Sequence, residues 1–278
     1  MKSEKCLNGK RLFHFLPLRH SRHYLSGIYL EFFRTKPNGD DAVSETNKVT
    51  YLKDYQQPDY WVTHVDLTFD LREGETFVGA KLQVKKNGSH QNPLVLDGEE
   101  LELLEVKLND VALAKGGKLA EGYVLDNQSL SLQPTGDAFT LDTRVRIHPE
   151  QNTALEGLYK SGGNWCTQCE AEGFRRITFF PDRSDNMATY TTKIMADQLA
   201  APVLLSNGNL VDHGPMEDRR HYAVWEDPFP KPSYLFALVG GDLACIDDTF
   251  VTASGRQVAL CIYADAKTSI SSIMPWPH

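Results

Sequence analysis

Several signatures are missing from this 278-residue chain, and each absence removes a class of function. The nine histidines include no H-E-x-x-H pair, so the chain carries no zincin-type metal site of its own. It has no G-x-S-x-G nucleophile elbow and no Gly-rich phosphate loop. No apolar run approaches the roughly 20 residues that a membrane span requires, so no membrane partner is expected. A basic excess is missing too: Lys and Arg number 29 against 37 Asp and Glu, a formal net charge of −8. Nucleic-acid binders normally show the opposite balance, so no nucleic-acid partner is expected. An acidic chain remains compatible with small cationic ligands. Cysteine is scarce, with Cys6, Cys166, Cys169, Cys245 and Cys261 making an odd set unlike a disulfide framework. A reducing compartment is the simpler reading, and the cytoplasm is the expected location.

Helix-period segments are also few, and what is present alternates. In residues 64–71, Val65, Leu67, Phe69 and Leu71 face one way and His64, Asp66, Thr68 and Asp70 the other. Residues 78–85 repeat the pattern with Val78, Ala80, Leu82 and Val84, across a short turn containing Gly74. That predicts an antiparallel hairpin with one buried face. Further strands are expected at 104–108, 139–147, 190–197, 202–214, 221–227, 234–243 and 256–265. Asn207-Gly208 is expected to turn a hairpin, and the proline-rich 228–232 to serve as an extended connector. One helical turn is expected between Asp182 and Tyr190. Many short strands with turn signals between them predict an all-β fold, an antiparallel β-sandwich or saddle. It should occupy residues 49–265. Residues 1–48, rich in Arg, His and aromatics at first and linker-like from 37, read as a leader, either a transit peptide or a segment belonging to no fold. Residues 266–278 read as an irregular tail.

The stretch CTQCEAEGFRR, residues 166–176, concentrates the candidate chemistry. Structural zinc usually needs two spaced ligand pairs, and only Cys166-x-x-Cys169 is present. Cys245 and Cys261 stand sixteen apart in separate predicted strands, and no His-x₃₋₅-His follows. A redox dithiol belongs at a helix N-terminus beside a βαβ unit, which the surrounding strands and loops do not supply. Two buried or half-buried thiols are the plainer reading, so no metal ligand, catalytic residue or cofactor is expected within this chain. Glu170 and Glu172, at i and i+2, would share a strand face or a loop cavity. They form either a solvated acidic loop or part of a cation site, where a carboxylate beside a neutral amide suits an ammonium group.

Four stretches go further. Residues 51–71, the string NTALEGLYKSGGNWCTQCEAEGFRRITFFPDR (152–183), residues 204–211 and residues 225–243 run in order through a pattern that resembles the aminopeptidase N family of zinc metallopeptidases. The resemblance covers nearly all of residues 50–265. It implies the family's N-terminal β-saddle, with the zinc-bearing catalytic domain missing from this chain, zinc belonging to the full-length protein, and peptides with a free N-terminus as substrates. It also implies that Gln168 and Glu170 match the positions that hold the substrate's α-amine. Residues 181–185, PDRSD, depart from the family pattern, and Arg183 receives no role. By this reading the chain is an N-terminal fragment, inactive alone. The alternative is a non-catalytic β-sandwich that binds a partner.

Overall fold

The fold comes from a computed structural model, which describes residues 52–265. The expectations for 1–48 and 266–278 lie outside the described residues. The strands are β1 (Tyr60–Leu71), β2 (Thr76–Lys86), β3 (Leu94–Asp97), β4 (Glu102–Leu108), β5 (Val111–Ala112), β6 (Tyr123–Leu125), β7 (Ser129–Leu132), β8 (Ala138–Ile147), β9 (Gly157–Ser161), β10 (Asn164–Gln168), β11 (Ala188–Asp197), β12 (Val203–Ser206), β13 (Asn209–Pro215), β14 (Arg220–Lys231), β15 (Leu238–Gly241), β16 (Leu243–Val251) and β17 (Gln257–Asp265). Among the described residues, helical structure is confined to single 3-10 turns. The expected all-β sandwich is what the chain forms.

One sheet has eight strands in the order β13-β14-β11-β1-β2-β8-β4-β5. A four-stranded sheet runs β12-β15-β10-β9 and a three-stranded one β3-β7-β6, while β16 and β17 pair as a separate hairpin. The alternating apolar residues do what their period demands. Val65, Leu67, Phe69 and Leu71 of β1 are all buried, and they join one cluster with Leu96 and Leu130 of the three-stranded sheet and Trp165 and Leu238 of the four-stranded one. Each such side chain, fully buried, contributes roughly 1.5–3 kcal/mol of transfer free energy. A bulge between Val62 and His64 shifts the register of β1 against β2, so Val62 and Val65, three apart, both turn inward.

The antiparallel pattern holds with one exception, and four local expectations are corrected. The sheets are antiparallel except where β1 pairs β11 in parallel, Val65 opposite Tyr190. A parallel neighbour needs a long crossover, and here the chain from residue 72 to 187 supplies it by building four more strands of the large sheet, the whole three-stranded sheet and half of the four-stranded one. Between Asp182 and Tyr190 there is a turn and then β11, not a helical turn. Buried Asn186 takes the place of helical bonding, accepting from the Val62 N–H at 2.9 Å and donating to the Val62 carbonyl at 3.3 Å, which ties it to the bulge. Asn207-Gly208 does not close a hairpin: β12 lies in the four-stranded sheet and β13 in the eight-stranded one. Gly208, at φ +89°, packs so closely on β14 that a Cβ would collide with the Glu226 carbonyl oxygen. Asn207 accepts from the Ala237 N–H at 2.7 Å and donates to the Leu235 carbonyl at 3.2 Å, so the chain crosses between layers there. Finally, 234–243 opens with a 3-10 turn, Ser233–Leu235, before β15, and Pro228 and Pro230 lie inside β14 instead of a connector. Their missing N–H groups coincide with a register shift, where Asp227 pairs Tyr190 and the next partners are Lys231 and Ala188.

Candidate functional site

Residues 168–173 form a loop clamped at both ends. Upstream, β10 pairs β9 with Gln168 opposite Gly157, and on its other side pairs β15 as far as Cys166 opposite Val239. Thr167 continues that second seam through its hydroxyl, which accepts from the Leu238 N–H at 2.8 Å. Downstream, the 3-10 turn Phe174–Arg176 drives Phe174 into the core, 5.0 Å from Phe180 and 5.4 Å from Phe236 in edge-to-face contact. The Gly173 N–H closes the loop onto the Cys169 carbonyl at 2.8 Å. Gly173 and Gly157 meet backbone to backbone: a Cβ on Gly173 would lie 2.9 Å from the Gly157 nitrogen and 3.1 Å from Cys169 Cα. Gly157 itself sits at φ +72°. No side chain fits between these segments, so the loop's position is set by backbone contact.

The cysteines are structural. Cys166 and Cys169 are buried thiols and form no disulfide. Burial, with Asp182 nearby, pushes the Cys169 thiol far above its usual range, against the smaller opposing effect of Lys231. A buried thiol held protonated is a poor nucleophile.

The carboxylates divide sharply. Glu172 pairs with Arg175 at 3.1 Å. Arg175 also meets buried Asp182 at 3.3 Å, and Asp182 accepts from Ser233 Oγ at 2.6 Å. Arg176 pairs with Glu99 at 2.8 Å and Glu100 at 2.9 Å. Arg183, left without a role by the sequence, pairs with Asp185 at 2.7 Å. Glu170 differs: its side chain is exposed and makes no ion pair or hydrogen bond with the described residues. Beside it, Gln168 donates Nε2 to the Glu170 carbonyl oxygen at 3.1 Å, which leaves the amide oxygen as an acceptor. The structure therefore ties the Gln168 side chain to the Glu170 backbone, leaves the Glu170 carboxylate exposed and commits Glu172 to Arg175. Two oxygen acceptors, one of them charged, stand at the rim of a fixed loop.

Beneath the loop lies a buried ion pair that sequence reasoning missed. Lys231 Nζ sits 3.1 Å from the Asp227 carboxylate and 3.6 Å from the centre of the Tyr190 ring. At that distance the two charges form a buried ion pair. Desolvation lowers the Lys231 pKa to about 8 in spite of Asp227. The available signal was the i, i+4 spacing of Asp and Lys in DPFPK, obscured by the prolines.

The comparisons agree with this architecture. Residues 55–235 match the peptidase M1 N-terminal domain. The chain is 46% identical to the aminopeptidase N of Escherichia coli (strain K12) over 243 residues, 84% of this chain and 27% of that protein. It is 47% identical to the aminopeptidase N of Caulobacter vibrioides over 222 residues, 80% of this chain and 25% of that protein. Among solved structures, Legionella pneumophila aminopeptidase A in complex with aspartic acid superimposes with a TM-score of 0.73 at 39% identity, over 79% of this chain and 26% of that one. The M1 zinc metallopeptidase of Deinococcus radiodurans shares the fold, with a TM-score of 0.65 at 18% identity over 79% of this chain and 50% of that one. The chain spans about a quarter of the length of the curated relatives it matches. It belongs to the peptidase M1 N-terminal domain family.

Proposed function

We propose that residues 49–265 act as the amine-anchoring module of an aminopeptidase that removes N-terminal amino acids from peptides in the cytoplasm, with Gln168 and Glu170 holding the substrate's α-ammonium. The observation that carries the reading is the contrast within the loop, where Glu172 is matched by Arg175 and Glu170 is matched by nothing described. An α-amino group titrates near pKa 8, so a carboxylate favours and fixes its charged form. Gln168 adds a neutral acceptor, letting the ammonium make two directed hydrogen bonds without a second negative charge. Holding the amine sets the first peptide bond at a fixed distance from the anchor, and positioning of that kind lowers a barrier without any bond chemistry at the anchor. An internal peptide segment has no ammonium to offer, so the same contacts select chain ends.

Hydrolytic zinc of the family's kind finds no matching ligand set among the described residues. Among the described residues, the cluster of three side chains able to ligate a metal is Cys245, Asp247 and Cys261, which holds no histidine and belongs to a different sheet. The residues present do not fit a His-based hydrolytic metal site, and no reaction step is assigned to this chain. The purified chain with added zinc should not hydrolyse alanyl p-nitroanilide; turnover would overturn that half of the reading. For the anchor, this chain replaces the matching 27% of the Escherichia coli relative in a fusion protein. Glu170→Gln should lower kcat/KM on alanyl p-nitroanilide on the order of tenfold to a hundredfold, the worth of one charge-assisted hydrogen bond. Glu172→Gln should leave it near the unsubstituted fusion. Equal kcat/KM for the Glu170→Gln and unsubstituted fusions would refute the anchor.

A further inference from the structure

The β16–β17 hairpin carries a group of donors that the anchor does not use. Its register sets Asp247 directly opposite Cys261 and Cys245 opposite Tyr263. With a side-chain period of two, Cys245 and Asp247 share a face, and their two partners share it with them. Asp247 Oδ1 accepts from Cys245 Sγ at 3.4 Å and from Cys261 Sγ at 3.1 Å. The two sulfurs and the carboxylate oxygen all lie within 4.8 Å of one another. Both thiols are exposed, unlike Cys166 and Cys169.

We propose that Cys245, Asp247 and Cys261 bind one zinc-like divalent ion, through two thiolates and one carboxylate oxygen, with the fourth position open to water. The spacing suits such an ion. Metal–sulfur bonds of about 2.3 Å and a metal–oxygen bond of about 2.0 Å at tetrahedral angles put the sulfurs roughly 3.8 Å apart and each sulfur roughly 3.5 Å from the oxygen. The two sulfur–oxygen edges, 3.4 and 3.1 Å, are already close to that value and the sulfurs lie within 4.8 Å of each other, so binding replaces two S–H protons by one ion with little backbone movement. The balance is one divalent ion taken up and two protons released, one from each thiol, while the Asp247 oxygen turns from the S–H groups to the metal. Sulfur donors favour a zinc-like ion over calcium or magnesium, which take oxygen ligands.

A disulfide is the competing use of the same pair, and the register disfavours it. Cys245 and Cys261 are diagonal neighbours, and diagonal positions across a strand pair sit about 7–8 Å apart. A disulfide wants Cα atoms within roughly 4.4–6.8 Å. A metal bridges the longer span because it lengthens the link by a second bond.

The test uses the full chain carrying Cys6→Ser, reduced and free of metal, titrated with Co²⁺ alone under argon. One equivalent should produce a thiolate-to-cobalt charge-transfer band with the visible bands of a tetrahedral ion, displaced stoichiometrically by Zn²⁺. Cys245→Ser and Cys261→Ser should each abolish the band at equal cobalt, and Asp247→Asn should weaken binding by about tenfold or more. The hairpin's donors are exposed, so the melting temperature of the metal-free variants should match the parent and exclude misfolding as the cause. No charge-transfer band in the parent, or a band that survives both serine substitutions, overturns the proposal. So does a Cys245–Cys261 disulfide that forms in air while an equivalent of cobalt is present.

Discussion

Replacing Lys231 by Met, alone and together with Asp227→Asn, probes the polar floor under the anchoring loop. Both side chains are more than nine-tenths buried, at 7% and 8% exposure, and their charges are 3.1 Å apart. Removing one member leaves the other charge buried without its partner, which costs roughly 3–5 kcal/mol. Removing both leaves an amide that can still accept from the Phe229 N–H, now made to Asp227 Oδ1 at 3.3 Å, and a Met side chain against the Tyr190 ring. The double variant should therefore lose much less than the sum of the single losses. In a domain of this size each single loss lowers the melting temperature on the order of 10 °C. Urea unfolding of the four proteins gives the coupling. Additive losses would show that the pair is not an interacting buried unit.

The same lysine has a pH signature. Its folded pKa of about 8 lies below the ordinary value of 10.5 because burial disfavours the ammonium. Between these values the unfolded chain keeps a proton that the folded chain has released, so this contribution to stability rises with pH across the window. Below pH 8 the destabilisation is full and constant, at roughly 3 kcal/mol from the gap between the two values. Cys169 and Tyr190 act in the opposite sense. Burial raises both, so the unfolded chain loses their protons first and stability falls as pH climbs past their ordinary values. The parent profile is thus a sum of opposing slopes, and its difference from Lys231→Met isolates the lysine. That difference should change between pH 8 and 10.5 and be flat below. Parallel profiles across the window would refute the burial argument.

Two further substitutions test the clamp on the loop. Gly173→Ala has an acceptable φ but sets a methyl group against three backbone atoms of two segments, including Gly157 N at 2.9 Å, so it should cost about 1–3 kcal/mol in urea unfolding. In the fusion protein it should also lower kcat/KM, because the Gln168 carbonyl must move; an unshifted unfolding midpoint would show that the backbone contact is not tight. Phe174→Ala removes the aromatic that plugs the loop into Phe180 and Phe236 and should cost roughly 3–5 kcal/mol, read by the same unfolding assay.

The first hairpin was legible in residues 64–85 because alternation and a Gly74 turn state both the buried face and the pairing at once. Alternation alone carries less. It says which side of β11 is buried, but not that the strand would lie parallel to β1 after more than a hundred intervening residues. Asn207-Gly208 reads locally as a hairpin turn, yet the same positive φ serves a change of sheet when Asn207 finds bonding partners at 235 and 237. Side-chain facing across strands is the least legible feature. Cys245 and Cys261, sixteen apart, become ligand-spaced neighbours only once the register is known.

Cys169 shows why the candidate site was half visible. The C-x-x-C spacing draws attention to sulfur, whereas the fold uses Cys169 as a small apolar body buried in the core. Residue 169 must point inward to hold the loop, and the residues on either side of it, Gln168 and Glu170, are thereby left at the rim. Glu172, two further on, has the same chemistry as Glu170 but falls within reach of Arg175, which the Phe174 plug fixes in place. Two equivalent carboxylates in the sequence become unequal because one of them has an arginine one helical turn away.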